Sequence, residues 1–103
     1  RTVFFKIGSD KLSPQEEMNL SYLANKIKES PNTTYTINGY ADSATGTPAF
    51  NQKLSLERAQ VVKDLLVKKY GISADRLKVA AGGGVDKFGQ PILNRVVLVE
   101  SAQ

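Results

Sequence analysis

Two side chains of opposite charge, Asp42 and Arg58, stand at either end of a turn-rich stretch that runs from Gly39 to Ala59, GYADSATGTPAFNQKLSLERA. Asp42 falls in a loop after a predicted strand. Arg58 falls in the first turn of a predicted helix whose N-cap is Ser55. A carboxylate and a guanidinium placed this way can do one of two things. They can pair with each other and lock the loop, as loop–helix ion pairs commonly and weakly do. Alternatively, they can hold a ligand that carries both an ammonium and a carboxylate. Guanidinium binds carboxylate in a two-pronged geometry, and Asp42 would take the ammonium. A cation beside the positive end of a helix dipole is mildly misplaced for stability, and local misfits of that kind mark function. Both readings stand on the residues alone.

Other chemistry finds few parts. The chain has no His and no Cys, which removes the commonest general base, the commonest metal ligand and any disulfide. No metal or cofactor is expected. No Ser lies in a G-x-S-x-G elbow. Asp42 and Glu57 could serve glycosidic chemistry only at a suitable separation. No acid–base pair is assembled in the sequence, so the expectation is that the protein is not an enzyme. Gly82-Gly83-Gly84 lacks the Lys-Ser/Thr of a phosphate loop and reads as a loop or a bulge at a strand end.

The 103 residues suggest a single domain, 1–103. The chain opens at Arg1 without an initiator Met or a signal peptide, which fits a fragment of a longer protein. No apolar run approaches the ~18 residues of a membrane span. The net charge of +4 is concentrated in the second half. Seven cations and three anions interleave between Lys53 and Lys78, the pattern of a solvated face.

The elements that must position the two charges follow in order. Thr2 to Ile7 is β-branched and aromatic, hence a strand. Ser13-Pro14-Gln15-Glu16 starts a helix, with Ser13 as cap and Glu16 as the second half of a capping box. Leu20, Leu23, Ala24 and Ile27 give it one buried face, and Pro31 stops it. Thr33 to Gly39 is a second strand. The central loop follows, with Thr47-Pro48 starting a short helical turn inside it. The second helix runs from Ser55 to about Tyr70, with Ala59, Val62, Leu65 and Leu66 inward and Gly71 as its left-handed stop. Leu77 to Ala81 and Arg95 to Glu100 are the last strands. The order β-α-β-α-β-β predicts an α+β two-layer sandwich, with both helices on one side of a small mixed sheet.

The pattern G-Y-A-D … G … N-x-x-L-S-x-x-R-A-x-x-V resembles the signature of OmpA-like peptidoglycan-binding domains. Gly39, Asp42, Gly46, Asn51, Leu54, Ser55, Arg58, Ala59 and Val62 carry the match. Val3-Phe4-Phe5 with Leu12 resembles the family's first strand. Asp75-Arg76-Leu77, Gly84, Pro91 and Asn94-Arg95-Val96 resemble its C-terminal half. The family includes peptidoglycan-associated lipoproteins and the periplasmic part of flagellar stators. Three residues separate Asp42 from Gly46 where the family commonly has two, and Tyr40-Ala41 stands where it often has His or Thr-Asp. Val96 replaces the second Arg of an Asn-Arg-Arg motif.

The resemblance implies the same β-α-β-α-β-β fold and non-covalent binding of the peptide stem of peptidoglycan through its diaminopimelate. It places the ligand's charges on Asp42 and Arg58, lines the pocket with Ile7 and Gly8, shapes it with Asn51 and Leu54, and adds Arg95. It implies a periplasmic domain tethering an outer-membrane protein to the wall. Membrane contact would come only through a region N-terminal to this chain, and homodimerisation is left open. A wall-gripping part of a motor or transport complex shares the fold and is the alternative. A nucleic-acid-binding module would need aromatics and cations on one strand face. Phe4, Phe5, Tyr35 and Lys6 are the only candidates, and strand Phe and Tyr more often belong to the core.

Overall fold

The computed structural model describes residues 2–101. It contains β1 (Thr2–Phe4), α1 (Pro14–Glu29), β2 (Tyr35–Asp42), α2 (Pro48–Lys68), β3 (Leu77–Val85) and β4 (Val96–Ser101), with 3₁₀ turns at Ala74–Arg76 and Pro91–Asn94. The four strands form one sheet in the order β1-β4-β2-β3. β1 and β2 lie antiparallel to β4, and β2 lies parallel to β3. The α+β arrangement of two helices and a mixed sheet is as the sequence predicts.

The core forms where the apolar stripes of the helices meet the sheet. Leu20, Leu23, Ala24 and Ile27 of α1 and Ala59, Val62 and Leu66 of α2 close on Val3, Ile37, Leu77, Val97 and Val99. Register places Ile37 beside Val99 and Val79, and Val3 beside Val97. One row of the sheet is therefore continuous hydrocarbon under the helices. Val96, where the resembling motif has a second Arg, is itself buried.

Several element ends differ from the sequence reading, each for an identifiable reason. The second helix begins at Pro48 and not after Ser55. Thr47 is its N-cap, with the hydroxyl accepting from Phe50 N–H at 3.1 Å, and Pro48 takes the first helical position, where its missing N–H costs nothing. Ser55 is interior and fully buried. Its hydroxyl donates to Gln52 O at 2.8 Å and accepts from Gly83 N–H at 3.0 Å. The helix ends at Lys68, short of Tyr70, and Gly71 turns the chain at φ +72°. Ser13 does cap α1, accepting from Glu16 N–H at 3.2 Å. Glu16 does not complete a capping box. Its carboxylate accepts from Phe4 N–H and Asn19 Nδ2, each at 2.7 Å, and so satisfies the outer edge of β1. β1 is shorter than Thr2–Ile7, and β4 begins one residue after Arg95.

The strands next to the site are longer than expected. β2 continues through Asp42, and β3 runs through the triple glycine, which is strand and not loop. Between the pairs Gly39–Ala81 and Ala41–Gly84 one extra residue enters β3. That is a bulge, and Gly83 absorbs it at φ +71°. The bulge lets β2 and β3 stay paired to their ends, so Asp42 is held by a ladder.

Candidate ligand-binding site

Asp42 is the last residue of β2, in the middle of the sheet, and its side chain is only 3% exposed. Asp42 Oδ2 accepts from Arg95 Nε at 2.6 Å, and Oδ1 accepts from Thr45 Oγ1 at 2.9 Å. The ion pair expected of Asp42 is therefore made with Arg95, and none of the three hydrogen bonds of Arg58 goes to Asp42. Burial pushes the Asp42 carboxyl upward. The hydrogen bonds from Arg95 and Thr45, together with the charge of Arg95, outweigh it and hold the pKa below the usual carboxylate value.

Arg58 sits well past the first turn of α2, so the helix-dipole argument for it does not apply. It has no exposed surface at all. Nε donates to Ser9 O, Nη1 to Tyr40 O and Nη2 to Lys6 O, each at 2.8 Å. The guanidinium lies over the Phe5 ring, 5.2 Å from its centroid. Burial lowers its pKa to about 10, with the charges of Asp42 and Asp10 opposing that shift and Arg95 adding to it. At neutral pH Arg58 is still a cation. It pins the segment after β1 to the end of β2 from below.

The other expected residues fall around this pair. Ile7 and Gly8 occupy the exposed turn between Lys6 and Ser9, whose carbonyls Arg58 holds. Ile7 is 55% exposed, and Gly8 has φ +63° with open space above it. Asn51 is buried, and its Nδ2 donates to Thr45 O at 2.9 Å and Asp42 O at 3.4 Å, which fixes the loop after β2. Leu54 is buried one turn before Arg58. Arg95 precedes β4. Its carbonyl accepts from Phe5 N–H at 2.8 Å, and its side chain is 20% exposed. Asp42, Arg58, Arg95, Asn51 and the Ile7–Gly8 turn thus converge on one end of the sheet.

Thr45, Ser55 and Phe5 belong to the same cluster and were not singled out as site residues from sequence. Thr45 carried a readable signal, a hydroxyl three residues after an Asp in a turn. Phe5 carried none, because an aromatic in a strand looks like core whatever lies above it. Chemically, the cluster is one ionised carboxylate between two guanidiniums, one sealed and one facing water. Among the described residues no group of three or more acidic residues is placed to hold a metal ion.

The sequence matches the model of the OmpA family over residues 4–91. Over 102 residues it is 37% identical to Outer membrane protein 40 of Porphyromonas gingivalis, covering 98% of this chain and 26% of that protein. Over 75 residues it is 37% identical to Peptidoglycan-binding protein ArfA of Mycobacterium tuberculosis, covering 73% of this chain and 22% of that protein. The chain therefore spans about a quarter of the length of the curated relatives it matches. Among solved structures, the peptidoglycan-associated lipoprotein from Burkholderia pseudomallei superposes with a TM-score of 0.85 at 24% identity, over 99% of this chain and 90% of that one. At that identity the likeness speaks for the fold alone.

Proposed function

The chain belongs to the OmpA family, and from that premise and the geometry of the Asp42 cluster we propose that it binds peptidoglycan non-covalently through the peptide stem. The ligand group is the free end of diaminopimelate, which carries an ammonium and a carboxylate on one carbon. Asp42 takes the ammonium. The guanidinium charges of Arg95 and Arg58 favour the carboxylate, Arg58 from beneath the surface and Arg95 from its rim. The Ile7–Gly8 turn lines the approach, and Asn51 and Leu54 keep the loop and helix in place around it.

The observation that carries the reading is the Asp42 carboxylate. It is buried, ionised below its ordinary range and paired with a side chain that faces water. A carboxylate kept ionised at the end of the sheet, with a partly exposed partner, is the group a cation receptor needs. The name of the mycobacterial relative, a peptidoglycan-binding protein, supports a peptidoglycan partner, and that of the porphyromonad relative supports an outer-membrane setting. Within a longer chain, the domain would serve in the periplasm to tether an outer-membrane protein to the wall. Each charged hydrogen bond is worth about 1.5–3 kcal/mol, so one stem binds modestly. Many stems on one polymer supply attachment through avidity.

Sedimentation with purified sacculi tests the proposal. The protein should pellet with the wall, and free diaminopimelate should release it. Asp42→Asn keeps the shape and removes the charge. It should lose about 2–5 kcal/mol of binding, read at a temperature where the variant is still folded, because loss of the Arg95 ion pair also lowers its melting temperature. A wild-type protein left in the supernatant, or an Asn variant that pellets equally well, would overturn the assignment.

A further inference from the structure

We propose that Arg95 is an internal stand-in for the ligand's ammonium, and that exchange with it sets which ligand class the site accepts. The inference rests on the stem-binding reading above and goes beyond it in assigning Arg95 a role as competitor and selector. In the unliganded protein the best position on Asp42 is already taken. Arg95 Nε lies 2.6 Å from Oδ2, and the Thr45 hydroxyl holds Oδ1. With Asp42 only 3% exposed, an entering cation gains room on the carboxylate by displacing one of them.

Only one of the two guanidiniums can yield. Arg58 has no exposed surface, and its Nε, Nη1 and Nη2 each donate to a main-chain carbonyl. Arg95 is 20% exposed, and Asp42 is its one side-chain hydrogen-bond partner among the described residues. Its main chain is fixed. Its carbonyl pairs with Phe5 N–H, Val96 after it is buried, and the buried Asn94 before it accepts from Phe88 N–H and donates to Gln90 O. The Arg95 side chain can therefore swing on a stationary backbone, with no loop movement.

The exchange selects by charge count. A ligand carrying ammonium and carboxylate on one carbon gives Asp42 a new cation and the released Arg95 a new anion, so one internal pair becomes two. A simple amine must break the same pair and leaves Arg95 with nothing. A simple carboxylate meets Arg95 while it is still committed to Asp42. The site thus reads the two charges together. A lysine side chain differs from the diaminopimelate end only in lacking that carboxylate, so it is the natural discriminating probe.

The experiment titrates free meso-diaminopimelate and Nα-acetyl-L-lysine amide, whose one charge is its side-chain ammonium, into the wild-type chain and into Arg95→Gln, with binding followed by NMR. In the wild type, diaminopimelate should bind at least about tenfold more tightly than the blocked lysine, and the Arg95 Nε–H resonance should shift as the site fills. In Arg95→Gln, the blocked lysine should bind better than it does to the wild type, and the preference should collapse toward unity. A preference unchanged in Arg95→Gln overturns the proposal and leaves stem binding standing, as does an Arg95 Nε–H resonance that stays fixed at saturation. The resonance arm needs no variant, so a poorly folded Arg95→Gln does not shield the idea. A wild type that binds neither compound would remove both this proposal and the reading beneath it.

Discussion

Arg58 is the largest fully buried side chain among the described residues, and it is a cation. Taking a charge out of water costs several kcal/mol even after relaxation, so its three carbonyl partners must offset that cost. They come from Lys6, Ser9 and Tyr40, so one side chain on α2 ties the chain after β1 to the end of β2. Arg58→Ala should leave those carbonyls without a donor and a void over Phe5. The expected loss is about 3–5 kcal/mol, measured as a lower urea midpoint. Arg58→Lys should also be destabilising, because one ammonium cannot reproduce a planar fork reaching three acceptors. An Arg58→Ala protein with the wild-type midpoint would refute the clamp. The sequence reading points the other way, toward relief of an unfavourable helix dipole, and it errs only because it starts the helix at Ser55. The types at positions 42 and 58 were legible as a charged site. What each charge touches depends on residues far along the chain, Arg95 for one and Lys6 and Ser9 for the other, which no local pattern reports.

At the scale of elements, the helices and strands were legible wherever one local signal dominated. Ser13-Pro14 marks α1 because nothing else competes for the Ser13 hydroxyl. Thr47-Pro48 carries the same signal for α2 but reads as a passing turn, since Ser55 offers a second plausible cap before the apolar stripe. Tertiary structure decides between them by giving the Ser55 hydroxyl to the Gly83 N–H of the bulge. The triple glycine reads as a loop for want of side chains, yet the strand needs that absence. A Cβ on Gly84 would stand 2.8 Å from Asn51 Nδ2, and one on Gly82 would stand 2.2 Å from the Tyr40 ring. The tightest approach is on β2, where a Cβ on Gly39 would fall 1.8 Å from the Ser55 carbonyl oxygen. That atom is helix backbone, which cannot rotate aside. Gly39→Ala should therefore push α2 off the sheet at a cost of about 1–3 kcal/mol or more. Wall binding should fall with it, because Arg58 and Asn51 ride on that helix. A Gly39→Ala protein with an unchanged denaturation midpoint would mean that α2 is free to slide, and that the glycine is not what seats it.

For the whole molecule, the question is whether attachment to an anionic wall needs a site at all. The chain carries a net charge of +4, and a basic domain adheres to acidic polymers without specific contacts. The two explanations predict opposite signs. Asp42→Asn removes a negative charge and makes the protein more basic, so charge-driven adhesion should strengthen while site-driven binding fails. The complementary variant replaces the exposed Lys28, Lys68 and Lys78 with Gln. It lowers the net charge by three and leaves Asp42, Arg58 and Arg95 untouched. Field-driven attachment should weaken sharply in that variant and be abolished by salt, since exposed charges are screened within about 8 Å at physiological ionic strength. Attachment through the Asp42 pair should persist, because a carboxylate that is 3% exposed is screened far less than a surface lysine. Sedimentation of both variants with sacculi, at low and physiological salt, decides the matter. The site predicts that the triple Gln variant pellets like the wild type and that Asp42→Asn does not. The reverse ranking would show that the basic surface holds the wall and that the Asp42 cluster serves only the fold.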